Sequence, residues 1–195
     1  CYTIQLYMDF SGTMDLVMGS GQIFGVTLPE NFRRPFFSRN IGEFWRRWHV
    51  TLGTWFKDYV FYPFSLSKGM NKFGKFCKKH FGKHVSRVLP VCIANLLVFF
   101  LVGVWHGPAW KFIVYGLYNG IIIAASNLFA PFYGEMARKL HIPVESRSWM
   151  AVRILRTFLL VNISLYFDMA VSLGAALTMM KNTVTGFSLA ALWDG

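Results

Sequence analysis

The run from Val88 to Trp105 holds no charged residue, approaches the length a helix needs to cross a bilayer, and ends in Trp105-His106-Gly107. Composition says what surrounds such a run. Hydrophobic residues make up 54% of the chain and charged residues 15%, with a mean hydropathy of +0.40, too apolar for a soluble domain of 195 residues. The chain is therefore read as a membrane protein, and His106 as an ionisable group at membrane depth. An imidazole there costs several kcal/mol, of order ~2–7, unless it faces a wet or protein-lined cavity, so it is a functional candidate by default. The alternative is a histidine that only anchors or packs a helix end.

Two further stretches have membrane-spanning length. One runs over 110–132, with Lys111 at its start and Asn119 and Asn127 along it; the other covers 150–177, entered by Arg153 and Arg156, which can snorkel, and interrupted by Asn162 and Asp168. The segment 1–28 is weaker, because Asp9, Asp15 and several glycines break its apolar character, and two short helices are expected there rather than one clean span. Pro108 and Pro131 are the expected helix terminators. The chain starts at Cys1 inside an apolar stretch with no initiator Met and no signal-peptide pattern, which suggests a piece of a longer protein. Cys1, Cys77 and Cys92 have no paired spacing.

The region 29–87 differs in kind, carrying thirteen of the twenty Lys and Arg residues against three acidic ones, and most of the net charge of +11. In its first half Ile41, Phe44, Trp45, Trp48, Leu52 and Phe56 recur near helical spacing, as in amphipathic helices lying on or dipping into a membrane. Its second half, 68–87, reads as a basic loop on the cytoplasmic side that meets anionic headgroups of the lipid bilayer. A nucleic-acid partner is a poor reading, because the basic segment is framed by membrane spans. Cys77, His80 and His84 have a zinc-like spacing, but no fourth ligand is near and Lys78, Lys79 and Lys83 repel a cation. Gly12, Gly19, Gly21 and Gly25 suit close helix packing better than a phosphate loop. Within Glu43 to His49, followed by Thr54 to Tyr59, His49 lies on an aromatic, basic helix that is either an electrostatic floor for an anionic substrate or a membrane anchor.

Tyr7-Met8-Asp9-Phe10-Ser11-Gly12, Leu28-Pro29-Glu30-Asn31-Phe32, the block Glu43 to His49, Trp55 to Tyr59, and Trp105-His106-Gly107 occur in the order seen in the membrane-bound O-acyltransferase (MBOAT) family. The chain most resembles its bacterial branch, which includes the teichoic acid D-alanyl transfer protein and the alginate and peptidoglycan O-acetyltransferases. The match runs from about Tyr2 to Gly120 and more weakly to about Leu177. The resemblance implies an all-α, polytopic helical bundle around a tunnel, with re-entrant or interfacial helices, in a bacterial plasma membrane. It also implies that residues 1–195 are the C-terminal part of a single membrane domain.

By the same resemblance His106 matches the family's catalytic histidine and His49 its second important one. Attack of a hydroxyl on a thioester needs a base near neutral pKa, which imidazole supplies. His106 is expected to take the hydroxyl proton while His49 orients substrate or stabilises charge. Around them Trp45, Trp48 and Trp105 are expected to line the substrate path, with Asp58 and Asn119. Arg46, Arg47 and Lys57 either meet the phosphate of a phosphopantetheine arm or hold the helices against lipid. Two departures stand out: Asn119 occupies a place where many bacterial members have a further histidine, and Tyr166-Phe167-Asp168-Met169-Ala170 has a carboxylate where many acetyl-transferring members have Arg-Ala. Asp168 is read first as a satisfied polar residue in a helix interface.

The implied function is transfer of an acetyl or D-alanyl group from a thioester donor, on an acyl carrier protein or coenzyme A, to a hydroxyl of a cell-wall polymer or exopolysaccharide. An accessory acyl-transfer protein is a candidate partner; no metal or tightly bound cofactor is implied. The competing class is a non-catalytic transporter or scaffold whose histidines line an ion or proton path. That class predicts internal repeats, and none is visible in the sequence.

Overall fold

A computed structural model describes residues 2–186, and Cys1 lies outside the described residues. Every regular element among them is helical. α1 (Tyr2–Ile23) is a single helix rather than two short ones. A helical glycine costs about 1 kcal/mol, too little to interrupt a helix whose inner side packs through Tyr2, Leu6, Tyr7 and Phe10. Gly25 ends it in a left-handed conformation (φ 73°), with Val26 N–H donating back to the Gly21 carbonyl at 2.9 Å.

After a short 3₁₀ turn (Pro35–Phe37) come two seven-residue helices, α2 (Ile41–Arg47) and α3 (Val50–Phe56). Asn40 caps α2 by accepting from Glu43 N–H at 2.8 Å. Glu43 in turn accepts from the Arg39 N–H at 2.8 Å and from the Arg47 guanidinium at 2.6 Å. Tyr7, Phe10, Phe32, Phe36 and Phe44 surround Trp48 with ring centroids 5.0–6.2 Å apart, which seats the α2–α3 corner on α1. A π-turn (Lys57–Phe61) and α4 (Tyr62–Ser65) lead onward.

Residues 68–87 are helical, which corrects the expectation of a basic loop. α5 (Lys68–His106) reverses at Gly82, whose φ of 83° and ψ of 179° no helix accommodates. Its two arms lie side by side: a methyl on Gly74 would sit 3.6 Å from the Ser86 carbonyl and 3.7 Å from the Pro90 ring. In a straight helix those residues would be roughly 18–24 Å apart. The first arm stays helical despite its charge because it packs against the second, and Cys77 on it is fully buried.

α5 then crosses α6 (Trp110–Leu128) at very close range. Methyls on Gly103 and Gly116 would lie 2.5 Å from the Phe112 carbonyl and 2.1 Å from the Phe99 carbonyl, so both positions require glycine. The apolar stretch 110–132 does not continue straight: α6 ends at Leu128, and α7 (Ala130–Lys139) leaves at 60° with Pro131 in its first turn. α8 (Arg147–Met169) stops short of the expected Leu177. Ala170 is extended and Ser172 caps α9 (Leu173–Thr185), accepting from the Ala175 N–H at 3.2 Å. α5 and α8 are long and apolar enough to cross a membrane, and the α6–α7 pair adds a third if it is one bent span. Exposed apolar residues such as Leu155, Leu159 and Ile163 give α8 a surface suited to lipid.

Candidate functional site

His106 is the last residue of α5. Gly107 follows with φ 152° and carries the chain into α6; any side chain there would strike the Phe112 ring at 2.8 Å. The imidazole is thus held against Phe112, with centroids 6.0 Å apart, and Tyr115, at 5.2 Å. Its Nδ1 faces Asp168 Oδ1 at 3.8 Å from the end of α8.

His49 forms the corner between α2 and α3 in the left-handed region (φ 47°, ψ 57°), a conformation unfavourable for a non-glycine residue. Asn31 secures it. Asn31 Oδ1 lies 3.0 Å from His49 Nδ1 and also accepts from the Thr51 N–H at 3.2 Å and the Thr51 hydroxyl at 2.6 Å. The Thr51 amide can only donate, so the Asn31 atom is an acceptor and His49 Nδ1 carries the proton. That leaves Nε2 of the neutral ring as the free lone pair. Burial, and secondly the neighbouring His106, lower the His49 pKa below its ordinary 6.5, which favours this neutral form.

Both imidazoles open onto one cavity of about 880 Å³, also lined by Trp45, Trp48 and Trp105. Trp105 lies between them, its ring 6.2 Å from His49 and 5.0 Å from His106. Arg46 and Lys57 reach the same cavity, joined by Arg153 and Arg156 from α8; among the described residues no carboxylate lines it. One cavity thus holds two imidazole rings able to accept a proton and four cations able to meet an anionic group.

Three residues expected in the site stand away from the cavity. Arg47 pairs with Glu43 and donates to the Arg34 carbonyl at 3.4 Å. Asp58 belongs to the π-turn and is not part of the lining. Asn119 is fully buried; it accepts from the Trp45 indole N–H at 3.2 Å and donates to the Tyr115 carbonyl at 2.9 Å, which makes it a strut for Trp45. Cys77, His80 and His84 do not converge: His80 stacks near Phe76 at 4.4 Å, and His84 Nε2 meets the Leu128 carbonyl at 3.1 Å. Sequence reasoning missed Asn31, although it lies in a quoted motif, and read Arg153 and Arg156 as interface residues. Nothing local distinguishes an arginine that snorkels from one that faces a cavity.

These features define a polytopic, all-α membrane protein with a paired-histidine cavity. Residues 1–77 match the membrane-bound O-acyltransferase family. The chain is 34% identical over 195 residues to the peptidoglycan O-acetyltransferase of Helicobacter pylori, covering 98% of this chain and 32% of that protein. It is 36% identical over 151 residues to the teichoic acid D-alanyltransferase of Bacillus subtilis (77% and 34% covered). Against a probable alginate O-acetylase of Azotobacter vinelandii it is 34% identical over 178 residues (91% and 30%). The chain belongs to the MBOAT family and spans about a third of the length of the curated relatives it matches.

Proposed function

We propose that the protein containing this chain is an O-acyltransferase of a bacterial plasma membrane. It moves an acetyl or D-alanyl group from a thioester to a hydroxyl of an extracytoplasmic cell-wall polymer or exopolysaccharide. The observation that carries this reading is the shared cavity of His49 and His106, with four cations and, among the described residues, no carboxylate on its wall. The relatives' names, acetyltransferase and D-alanyltransferase, support the same class over a transporter or scaffold.

In the proposed reaction, the acceptor oxygen attacks the thioester carbon as His106 takes its proton. The carbon–sulfur bond breaks, an ester forms, and the proton returns to the leaving sulfur, so no acyl-enzyme is needed. His49, neutral with Nε2 free as an acceptor, orients the acceptor substrate through a second donor group, because the one proton of the attacking hydroxyl goes to His106. Arg46, Lys57, Arg153 and Arg156 suit a donor that carries phosphate, as the pantetheine arm of an acyl carrier protein or coenzyme A does.

The test compares ester-linked acyl groups on envelope polymers in cells making wild-type protein or His106→Ala at matched membrane abundance. Loss of acetyl or D-alanyl ester in the variant is expected, and the mass of the released acid identifies the group. Unchanged ester content would remove His106 from the chemistry.

A further inference from the structure

The two imidazoles differ in what stands behind them. His49 Nδ1 meets the neutral amide oxygen of Asn31, whereas His106 Nδ1 meets a carboxylate. We propose that Asp168 is the positioning residue of His106: it presents one carboxylate oxygen to Nδ1, fixes Nε2 as the basic atom toward the cavity, and stabilises the imidazolium formed during transfer. This rests on the acyl-transfer reading above.

The surroundings of Asp168 single out this role. Its other oxygen, Oδ2, accepts from the Tyr2 hydroxyl at 2.6 Å, so α1 fixes the rotamer and aims Oδ1 at His106. The Lys111 ammonium is taken up elsewhere, donating to the backbone carbonyls of Asp168 at 3.1 Å and Ala170 at 2.6 Å. Among the described residues the carboxylate's one ion-pair partner within 4.0 Å is His106. It also lies in the last turn of α8, where the helix dipole disfavours negative charge. A residue serving only to bond Tyr2 could be an uncharged amide. A carboxylate at this unfavourable position gains its counter-charge only when His106 is protonated, the state that follows proton transfer.

The 3.8 Å separation exceeds a hydrogen bond by under 1 Å. Pairs of this kind are often long before substrate binds and tighten in the complex. The other titratable groups near His106 are Tyr115 and Lys111 on α6, Tyr2 on α1 and His49 at the α2–α3 corner. None of these places an anionic oxygen at Nδ1; Asp168 does.

The experiment measures kcat and KM for donor and acceptor with the full-length protein in membranes, comparing wild type, Asp168→Asn, Asp168→Glu and His106→Ala at matched abundance. Asp168→Asn keeps an acceptor for Tyr2 and removes the charge; kcat is expected to fall about 10–100-fold, with both KM values within about twofold of wild type. Asp168→Glu is expected to recover most of that loss. Wild-type kcat in Asp168→Asn beside an inactive His106→Ala overturns the role of Asp168 and leaves the acyl-transfer reading standing. Equal impairment of the Asn and Glu variants with raised KM also overturns it, as a merely structural contact. An active His106→Ala would defeat both.

Discussion

Gly116→Ala tests whether the α5–α6 crossing sets the position of His106. The added methyl falls 2.1 Å from the Phe99 carbonyl oxygen, 3.0 Å from Gly103 N and 3.1 Å from Gly103 Cα. All three are backbone atoms, so no rotamer change relieves the clash. A carbon–oxygen contact needs about 3.3 Å, so the helices must part by about 1 Å. A gap of that size forfeits roughly a quarter to a half of the dispersion energy along the seam, beyond an overpacking cost of about 1–3 kcal/mol. We expect destabilisation near the top of that range, about 3 kcal/mol, or roughly a hundredfold in the folded-to-unfolded ratio. The entropy of unfolding grows with length, and the curated relatives are about three times as long as this chain, so in a full-length protein the midpoint should drop by roughly 2–4 °C. Gly12→Ala is the control: nothing lies within 4 Å of the new methyl, and alanine favours a helix by about 1 kcal/mol. The assay heats the detergent-solubilised full-length protein and follows the monodisperse fraction by size-exclusion fluorescence. Coincident midpoints for the two variants would refute the reasoning.

Two further outcomes are expected. Asn31→Ala removes the acceptor that fixes the His49 tautomer and releases the Thr51 amide and hydroxyl; acyl transfer should fall about 10–100-fold with the protein still folded, and wild-type turnover would refute the anchor. Glu43 has a partly buried carboxyl. Burial alone raises its pKa, but the Arg39 N–H and the Arg47 and Arg39 guanidiniums together bring it below the ordinary 4.5. A depressed folded pKa means stability that is present above 4.5 and lost as pH falls through the folded value. Glu43→Gln should therefore be less stable than wild type at neutral pH, with the difference shrinking through the acid range; a pH-independent difference in thermal midpoint would contradict this.

The sequence by itself determined the class of protein and named many of the residues that line the candidate cavity. Apolar runs of bilayer length admit few structures other than helices, and the tryptophan-rich motifs around His49 and His106 carry a family resemblance that single residues cannot. Extent and partnership came from the tertiary structure. Hydropathy could not show that α5 doubles back at Gly82, because a polar, basic arm looks like a loop until the second arm covers one side of it. Nor could it show the bend after Leu128 or the end of α8 at Met169, where local backbone geometry interrupts an apolar stretch. Asn31 and His49 are eighteen positions apart in the chain, and His106 and Asp168 sixty-two. Only the packing of α1, α2, α5 and α8 brings each pair together, and hydrogen bonding and Coulomb attraction act through space, so spacing along the chain carried no sign of which group would stand behind each imidazole.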